Sequence, residues 1–235
     1  MTITVLPVEG IPEVRAGDDL AELIRDVAEL EEGDVLVVAQ KVVSKAEGRV
    51  VRLEEVEASN QAVKLAAERD PRELEVVLRE AARIVRSRPP LVIAETRHGF
   101  VCASAGVDHS NAPERDTLVL LPVDPDASAR RLSESLGVAV IVSDSFGRPF
   151  RQGTTDVAIG VAGLEALLDL RGVRDWTGYE LRTTTIAVAD EIAGAAELVM
   201  GKTAGIPAAI VRGLDVGGDG SGRDLVMPAD RDLFR

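Results

Sequence analysis

Apolar and polar positions along the chain alternate between two periods, one suited to strands and one to helices. Thr2 to Pro7 reads as a strand, which Gly10-Ile11-Pro12 interrupts. Leu20, Leu23, Ile24, Val27 and Leu30 recur at helical spacing, which predicts a helix capped by Asp18 and running to Leu30. Gly33-Asp34 ends that unit. Val35 to Ala39 is then a continuous apolar run, as in a strand covered on both faces. Asp70-Pro71 marks another helix start, with Leu74, Val77, Leu78, Ala81, Ala82 and Val85 as its inner stripe and Pro89-Pro90 as its stop. Leu91 to Glu95 and Phe100 to Ala105 predict a hairpin across Thr96-Arg97-His98-Gly99.

Thr117 to Leu121 is a further short strand, and Asp126 is placed to cap a helix that Gly137 closes after Leu136. Val138 to Val142, the most hydrophobic strand candidate, runs directly into Ser143-Asp144-Ser145. Val157 to Gly163, a helix-like Leu164 to Leu170, a strand Leu181 to Val188, a helix Ala189 to Met200 and a buried strand Ile206 to Val211 complete the pattern. Gly217 to Gly222 is glycine-rich and reads as loop. The fold class is mixed α/β (α+β), with mixed sheets and flanking helices. Residues 1–235 read as a single domain with room for two lobes, their boundary near 54–60, 111–116 or 170–179.

Charge narrows the function classes. Twenty-seven Lys and Arg against 40 Asp and Glu give a net charge of −13, which disfavours nucleic acid and anionic membranes as partners. Aromatic residues are only 3% of the chain, too few for base-stacking platforms, so Trp176 and Tyr179 read as packing residues. No run approaches the ~20 apolar residues of a membrane span. The N-terminus lacks the basic start and apolar core of a secretory signal. The single cysteine, Cys102, excludes a disulfide framework and a zinc–thiolate site. A cytoplasmic location is expected.

Three runs carry candidate chemistry. Gly106-Val107-Asp108-His109-Ser110-Asn111 crowds an acid, an imidazole, a hydroxyl and an amide into one loop. Short oxygen ligands suit Mg²⁺ or Mn²⁺, although Asp and Asn serve equally in an Asx-turn. Ser143-Asp144-Ser145-Phe146-Gly147-Arg148-Pro149-Phe150-Arg151 puts an acid at the exit of a buried strand, where open sheets bind ligands. Arg148 and Arg151 offer forks for phosphate or carboxylate, or surface ion pairs. Gln40-Lys41-Val42-Val43-Ser44-Lys45, read as a strand exit, offers two lysines to phosphates or to solvent. Met200 to Pro207 lacks the spacing of a P-loop, and His98 and His109 lack zinc-hydrolase spacing. Cys102 reads as a small buried hydrophobe. By themselves these runs describe a metal-dependent enzyme acting on phosphates.

Taken in order along the chain, the motifs are more specific. Leu6-Pro7-Val8-Glu9-Gly10 with Pro12, Gly17-Asp18-Asp19-Leu20 and Val42-Val43-Ser44-Lys45-Ala46-Glu47-Gly48-Arg49 come first. Gly106-Val107-Asp108, Ser110-Asn111 and Leu121-Pro122-Val123-Asp124-Pro125-Asp126 follow, then Asp144, Gly147-Arg148, Ala189-Asp190-Glu191 and Val211-Arg212-Gly213. With these segments the chain resembles the coenzyme F420:L-glutamate ligase (coenzyme F420-0:gamma-glutamyl ligase) family over nearly its whole length. It is most similar to the bacterial form, and with Arg235 as the last residue the C-terminal reductase-like domain of that form is expected to be absent.

The resemblance implies a GTP-dependent ligase that adds L-glutamate to the phospholactyl carboxylate of coenzyme F420-0, then γ-linked glutamates, through an acyl phosphate, releasing GDP and phosphate. By position, it makes Asp108, Asp144 and Ser145 metal ligands for Mg²⁺ or Mn²⁺, with K⁺ a further candidate ion. It assigns nucleotide contacts to Ile11, Pro12, Glu13, Val14, Gln40, Lys41, Lys45, Asn111 and the loop Met200, Gly201, Lys202, Thr203, Ala204, Gly205, Ile206 and Pro207. Archaeal members place a glutamine near Lys202 as a second-metal ligand. An ammonium cannot ligate a cation, so either Lys202 replaces part of that ion's charge or the ion is held differently. Arg148 and Arg151, on chemical grounds alone, are candidate anchors for the acidic substrates, and no general base is assigned. The resemblance also implies a two-lobed, intertwined homodimer. The alternatives are a metal-dependent nucleotide phosphohydrolase and a non-catalytic nucleotide-binding module.

Overall fold

The computed structural model describes residues 2–233; Met1 of the N-terminal reading and the terminal Arg235 lie outside them. In chain order the elements are β1 (Thr4–Pro7), α1 (Leu20–Arg25), β2 (Val35–Ala39), α2 (Gln40–Ala46), β3 (Val50–Arg52), α3 (Asn60–Ala66) and α4 (Pro71–Glu80). Next come β4 (Ala81–Arg88), β5 (Leu91–Thr96), β6 (Val101–Ala103), β7 (Thr117–Val119), α5 (Pro125–Leu136) and β8 (Ala139–Gly147). The last elements are β9 (Thr154–Ala162), β10 (Leu168–Asp169), β11 (Thr185–Ile186), α6 (Val188–Met200) and β12 (Ala208–Arg212). The fold is mixed α/β with several sheets, as the sequence indicates.

The central sheet has the order β1-β12-β2-β8-β9. Only the pair β2/β8 is parallel; its neighbours run antiparallel. Val35, Leu36, Val37 and Val38 are fully buried because both faces are covered. One face packs into a cluster with Ile24, Val43, Ala129 and Leu132 from α1, α2 and α5. The other packs on the Ala189, Ile192, Ala193 and Ala196 stripe of α6. α5 approaches β9 so closely that a Cβ on Gly160 would overlap the Pro125 carbonyl, so this contact requires glycine. A second cluster, around Leu74, Val77, Val92 and Ala94, joins α3 and α4 to the antiparallel sheet β4-β5-β6.

Several boundaries differ from the periodic reading. Asp19, not Asp18, caps α1, which ends at Arg25 and leaves Val27 exposed. The Gln40–Lys45 run does follow the strand exit of β2, and it is helical. Asp70 does cap α4, but the helix stops at Glu80. Ala81–Arg88 is a strand, because Ile84 and Val85 belong to a segment that pairs with β5 across the Pro89-Pro90 turn. Asp124 caps α5, while the buried Asp126 carboxylate accepts the backbone N–H groups of Val161 and Gly222 at 2.9 and 2.7 Å. Gly137 closes α5 at φ +75°, as its place after Leu136 predicts. Leu164–Leu170 is not helical, and the strand expected over Leu181–Val188 shrinks to Thr185–Ile186. Trp176 and Tyr179 do not pack; they are 96% and 61% exposed.

Candidate functional site

Register brings the chemistry to one end of the central sheet. In the parallel pair, Ala39 lies beside Ser143; β2 ends there and gives way to Gln40-Lys41. β8 does not exit the sheet after Val142 as the sequence suggests but continues to Gly147, paired with β9, so Asp144-Ser145 stand on its overhang beside the start of α2. β1 and β12 run antiparallel to each other, with Pro7 opposite Ala209. The segment Ile11 to Val14 after β1 and the segment Gly201 to Pro207 before β12 therefore arrive at the same end. Carboxyl ends of parallel strands are the usual place for ligands in such sheets. A register shift between Val142 and Ser143 re-aims the last part of β8.

These segments enclose a cavity of about 270 Å³. Its walls include Ile11, Pro12, Glu13 and Val14; Gln40, Lys41 and Lys45; Asn111; Asp144 and Ser145; and Met200, Gly201, Lys202, Thr203, Gly205, Ile206 and Pro207. Of the expected nucleotide positions, only Ala204 is not in the wall. Lys45, 6% exposed, is bonded to Glu13 at 2.6 Å. Gln40 is 1% exposed; its carbonyl accepts from Ser44, while its side-chain nitrogen is buried with no partner among the described residues. A donor left unpaired in a cavity wall suits an acceptor group on a ligand.

A second cavity of about 220 Å³ adjoins the first through Asp144, Ser145 and Lys202. Its other walls are Cys102 to Ser104, Gly106 to Asp108, Phe146 and Gly147. Asp108 is fixed by backbone bonds to Val119 in β7. The preceding turn is left-handed at Ser104, Ala105 and Gly106, with φ of 52°, 53° and 74°. Two of these are not glycine, the kind of strain that clusters at functional loops. Arg148 and Arg151 line neither cavity; they sit beyond β8, where Arg148 donates to the Gln152 carbonyl at 2.8 Å.

The two aspartates face one cation. Lys41 donates to Asp108 at 2.6 Å and to Ser110 at 2.9 Å, and its charge also acts on Asp144. Burial alone would raise the Asp108 carboxyl, but the bonds from Lys41 and Ser110 outweigh it and hold it down at about 2. Asp144 has no such ion pair among the described residues. Burial pushes it up to about 7 and the nearby Asp156 adds to the rise, while Lys41, the Ser145 N–H and Lys202 oppose it. Lys202 donates to the Ser145 hydroxyl, which itself bonds Asp156. Burial also pushes the Cys102 thiol up to about 12, which leaves it inert at neutral pH and fits the reading of a buried hydrophobe.

Among the described residues no group of three or more His, Cys, Asp and Glu side chains stands ready to hold a metal. Asp108, Asp144 and Ser145 nevertheless face the same cavity and offer only hard oxygens. Asp144 brings a desolvated carboxylate short of positive charge. That donor set fits Mg²⁺ or Mn²⁺, with phosphate oxygens and water completing the shell.

Three groups escape the sequence reading. Asp156 is buried, lies opposite Ser145 in β9 and lines the first cavity. Glu197 lines it too, from the last turns of α6; burial raises its carboxyl and Asp156 adds to the rise. The available signal is a lone acid beside an apolar strand and another flanking the inner stripe of a helix. The third is a contact of 3.0 Å between His109 and Glu73, whose other oxygen takes both Nε and Nη2 of Arg69. It pins the loop bearing Asp108 and Asn111 to α4.

Carboxylates, lysines and a buried amide gathered in one cleft at the end of a mixed sheet are the groups an enzyme's active site uses. The model of the F420-0:Gamma-glutamyl ligase family matches residues 10–213. A coenzyme F420:L-glutamate ligase of Methanopyrus kandleri is 50% identical, over 100% of this chain and 98% of the relative. The protein of that name from Methanothermobacter thermautotrophicus is 46% identical over 100% of both chains, and that of Archaeoglobus fulgidus 45% over 100% and 97%. The chain belongs to the F420-0:gamma-glutamyl ligase family, and it is a ligase.

Proposed function

We propose that this ligase is GTP-dependent and joins L-glutamate to the phospholactyl carboxylate of coenzyme F420-0, then adds γ-linked glutamates. The observation that carries the reading is the pair of adjoining cavities sharing Asp144, Ser145 and Lys202. One takes the nucleotide and the other presents the acceptor carboxylate to its terminal phosphate.

A carboxylate is a poor electrophile and needs activation. The acceptor oxygen attacks the γ-phosphorus, the bond to the β-phosphate oxygen breaks, and GDP leaves an acyl phosphate. The glutamate amine attacks the acyl carbon, the C–O bond to phosphate breaks, and the amine gives up a proton as the amide forms. Asp108, Asp144 and Ser145 would hold Mg²⁺ or Mn²⁺, which when bound offsets the charge on the phosphate oxygens. Lys41, Lys45 and Lys202 supply fixed positive charge around the phosphates, and the Gln40 amide donates to the nucleotide. Lys202 thereby takes over part of the charge of a second ion. Arg148 and Arg151, outside both cavities, remain candidate anchors for the acidic substrates at the rim. No residue is assigned to K⁺.

We place the protein in the cytoplasm, as a homodimer of two-lobed protomers. The β10–β11 arm exposes Leu168, Val173, Trp176 and Tyr179, an apolar surface suited to a second copy. Among the described residues no helix is long and apolar enough to cross a membrane.

The decisive assay incubates the protein with coenzyme F420-0, L-glutamate, GTP and Mg²⁺ or Mn²⁺. A product one glutamyl residue heavier is expected, with GDP release requiring both acceptor and amino acid. GDP release without them would indicate a phosphohydrolase, and nucleotide binding with no turnover a binding module.

A further inference from the structure

The pairing of β4, β5 and β6 aligns side chains on the face turned away from α3 and α4. Arg83, Glu95 and Val101 form one row, Arg86, Ile93 and Ala103 the next, and Arg88 lies opposite Leu91. Paired residues share a face of the sheet. The other face carries Val92 and Ala94 into the core. The outer face is open, with Leu91 and Val101 both exposed. Arg83 bonds Glu95 at 2.7 Å, whereas Arg86 and Arg88 are exposed and form no ion pair among the described residues. β4 and β6 are the two edge strands of this sheet.

Two features give this face a direction and a sign. Ala103, at one end of the middle row, lines the second cavity beside Asp108 and Asp144. Arg86 is two strand spacings away, about 10 Å. Three arginines against one glutamate also run counter to a chain of net charge −13. Charged edge strands guard against sheet-to-sheet association, but that role needs no apolar row leading to a cavity.

We propose that this face is the track along which the growing oligo-γ-glutamyl chain leaves the second cavity. The proposal rests on the ligase reading above. Each added residue contributes a free carboxylate and a short methylene stem. The stems lie over Ala103, Ile93 and Leu91, and the carboxylates meet Arg86 and Arg88, whose planar forks match them. The first addition, made inside the cavity, does not need these arginines.

The test uses the full chain carrying Arg86→Ala with Arg88→Ala, both exposed and tolerant of truncation, and a second variant with both changed to Lys. The probe is γ-linked tri-L-glutamate, titrated calorimetrically at two salt concentrations. The double-Ala variant is expected to bind it roughly 3- to 10-fold more weakly, and the double-Lys variant to recover much of the loss. The first glutamate is added at the wild-type rate, while longer products shrink in the mass spectrum. Unchanged tri-glutamate affinity together with an unchanged product distribution overturns the track. So does a double-Ala variant whose only change is its oligomeric mass by light scattering, which would make the face a contact between copies. A wild-type protein that adds no first glutamate refutes the ligase reading instead, and the tri-glutamate titration still decides the track.

Discussion

Replacing Asp144 by Asn separates the stability of this site from its function. A carboxyl held at about 7 against an ordinary 3.8 corresponds to about 4 kcal/mol of penalty on the charged form. Asp144 is only half-buried, and screening by solvent reduces that figure to about 2 kcal/mol. The sign follows from proton uptake. Well below 3.8 the carboxyl is neutral in both folded and unfolded chains, and nothing is lost. As pH rises towards 7, the unfolded chain releases the proton while the folded chain retains it, so stability falls; above 7 the loss is complete. The amide of the variant carries no charge at any pH. In metal-free buffer at pH 8 the Asp144→Asn protein is therefore expected to melt about 4–8 °C above wild type. At pH 5 the gap shrinks to less than about half. Ligation falls about 100-fold or more, and Mn²⁺ raises the Tm of wild type only. Thermal denaturation with and without Mn²⁺ measures the stability effects, and glutamyl mass gain measures ligation. A variant less stable than wild type at pH 8, or a gap that does not change with pH, is incompatible with a desolvated, underpaired carboxylate at this position.

Other perturbations test other parts of the site. Lys45→Ala removes a buried ammonium from the first cavity and should weaken GTP binding about tenfold by calorimetry; unchanged affinity would reduce Lys45 to a partner of Glu13. His109→Phe breaks the 3.0 Å contact to Glu73 and should lower Mn²⁺ affinity about tenfold, with His109→Gln restoring it; equal losses in both variants would deny the loop-positioning role. Asp126→Ala strands the N–H groups of Val161 and Gly222 at a cost of about 3 kcal/mol, or about 6–12 °C in Tm, measured by calorimetry. A smaller fall would mean that water takes the place of the carboxylate.

The parts of the fold visible in the sequence are those where local pattern and tertiary environment agree. Val35–Ala39 is apolar at every position because both faces are covered, and Gly137 ends α5 because a left-handed cap suits glycine. Ala81–Arg88 shows the opposite case. Ala81, Ala82 and Val85 continue the helical spacing of α4, yet they form a strand. Pairing with β5 decides the outcome there, and a partner strand leaves no mark in the pattern of a single segment.

The candidate site divides in the same way. Asp108, Asp144 and the lysines are visible as reactive side chains beside the apolar runs of the sequence. Their convergence depends on the parallel register of β2 and β8 and on the Asp108–Val119 bridge. Asp156 is hidden because its strand begins three residues before the apolar run that announces it, at Thr154 instead of Val157. Its role emerges only from the Ser145 it faces across the sheet.

Anomalous scattering from Mn²⁺, in crystals grown with the metal and a non-hydrolysable GTP analogue, locates the cation directly. One strong peak is expected, bonded to carboxylate oxygens of both Asp108 and Asp144, with Lys41 displaced from Asp108 towards the phosphates. A peak bonded to neither aspartate, with the Lys41–Asp108 pair intact beside bound nucleotide, would rule out the shared cation on which the mechanism depends.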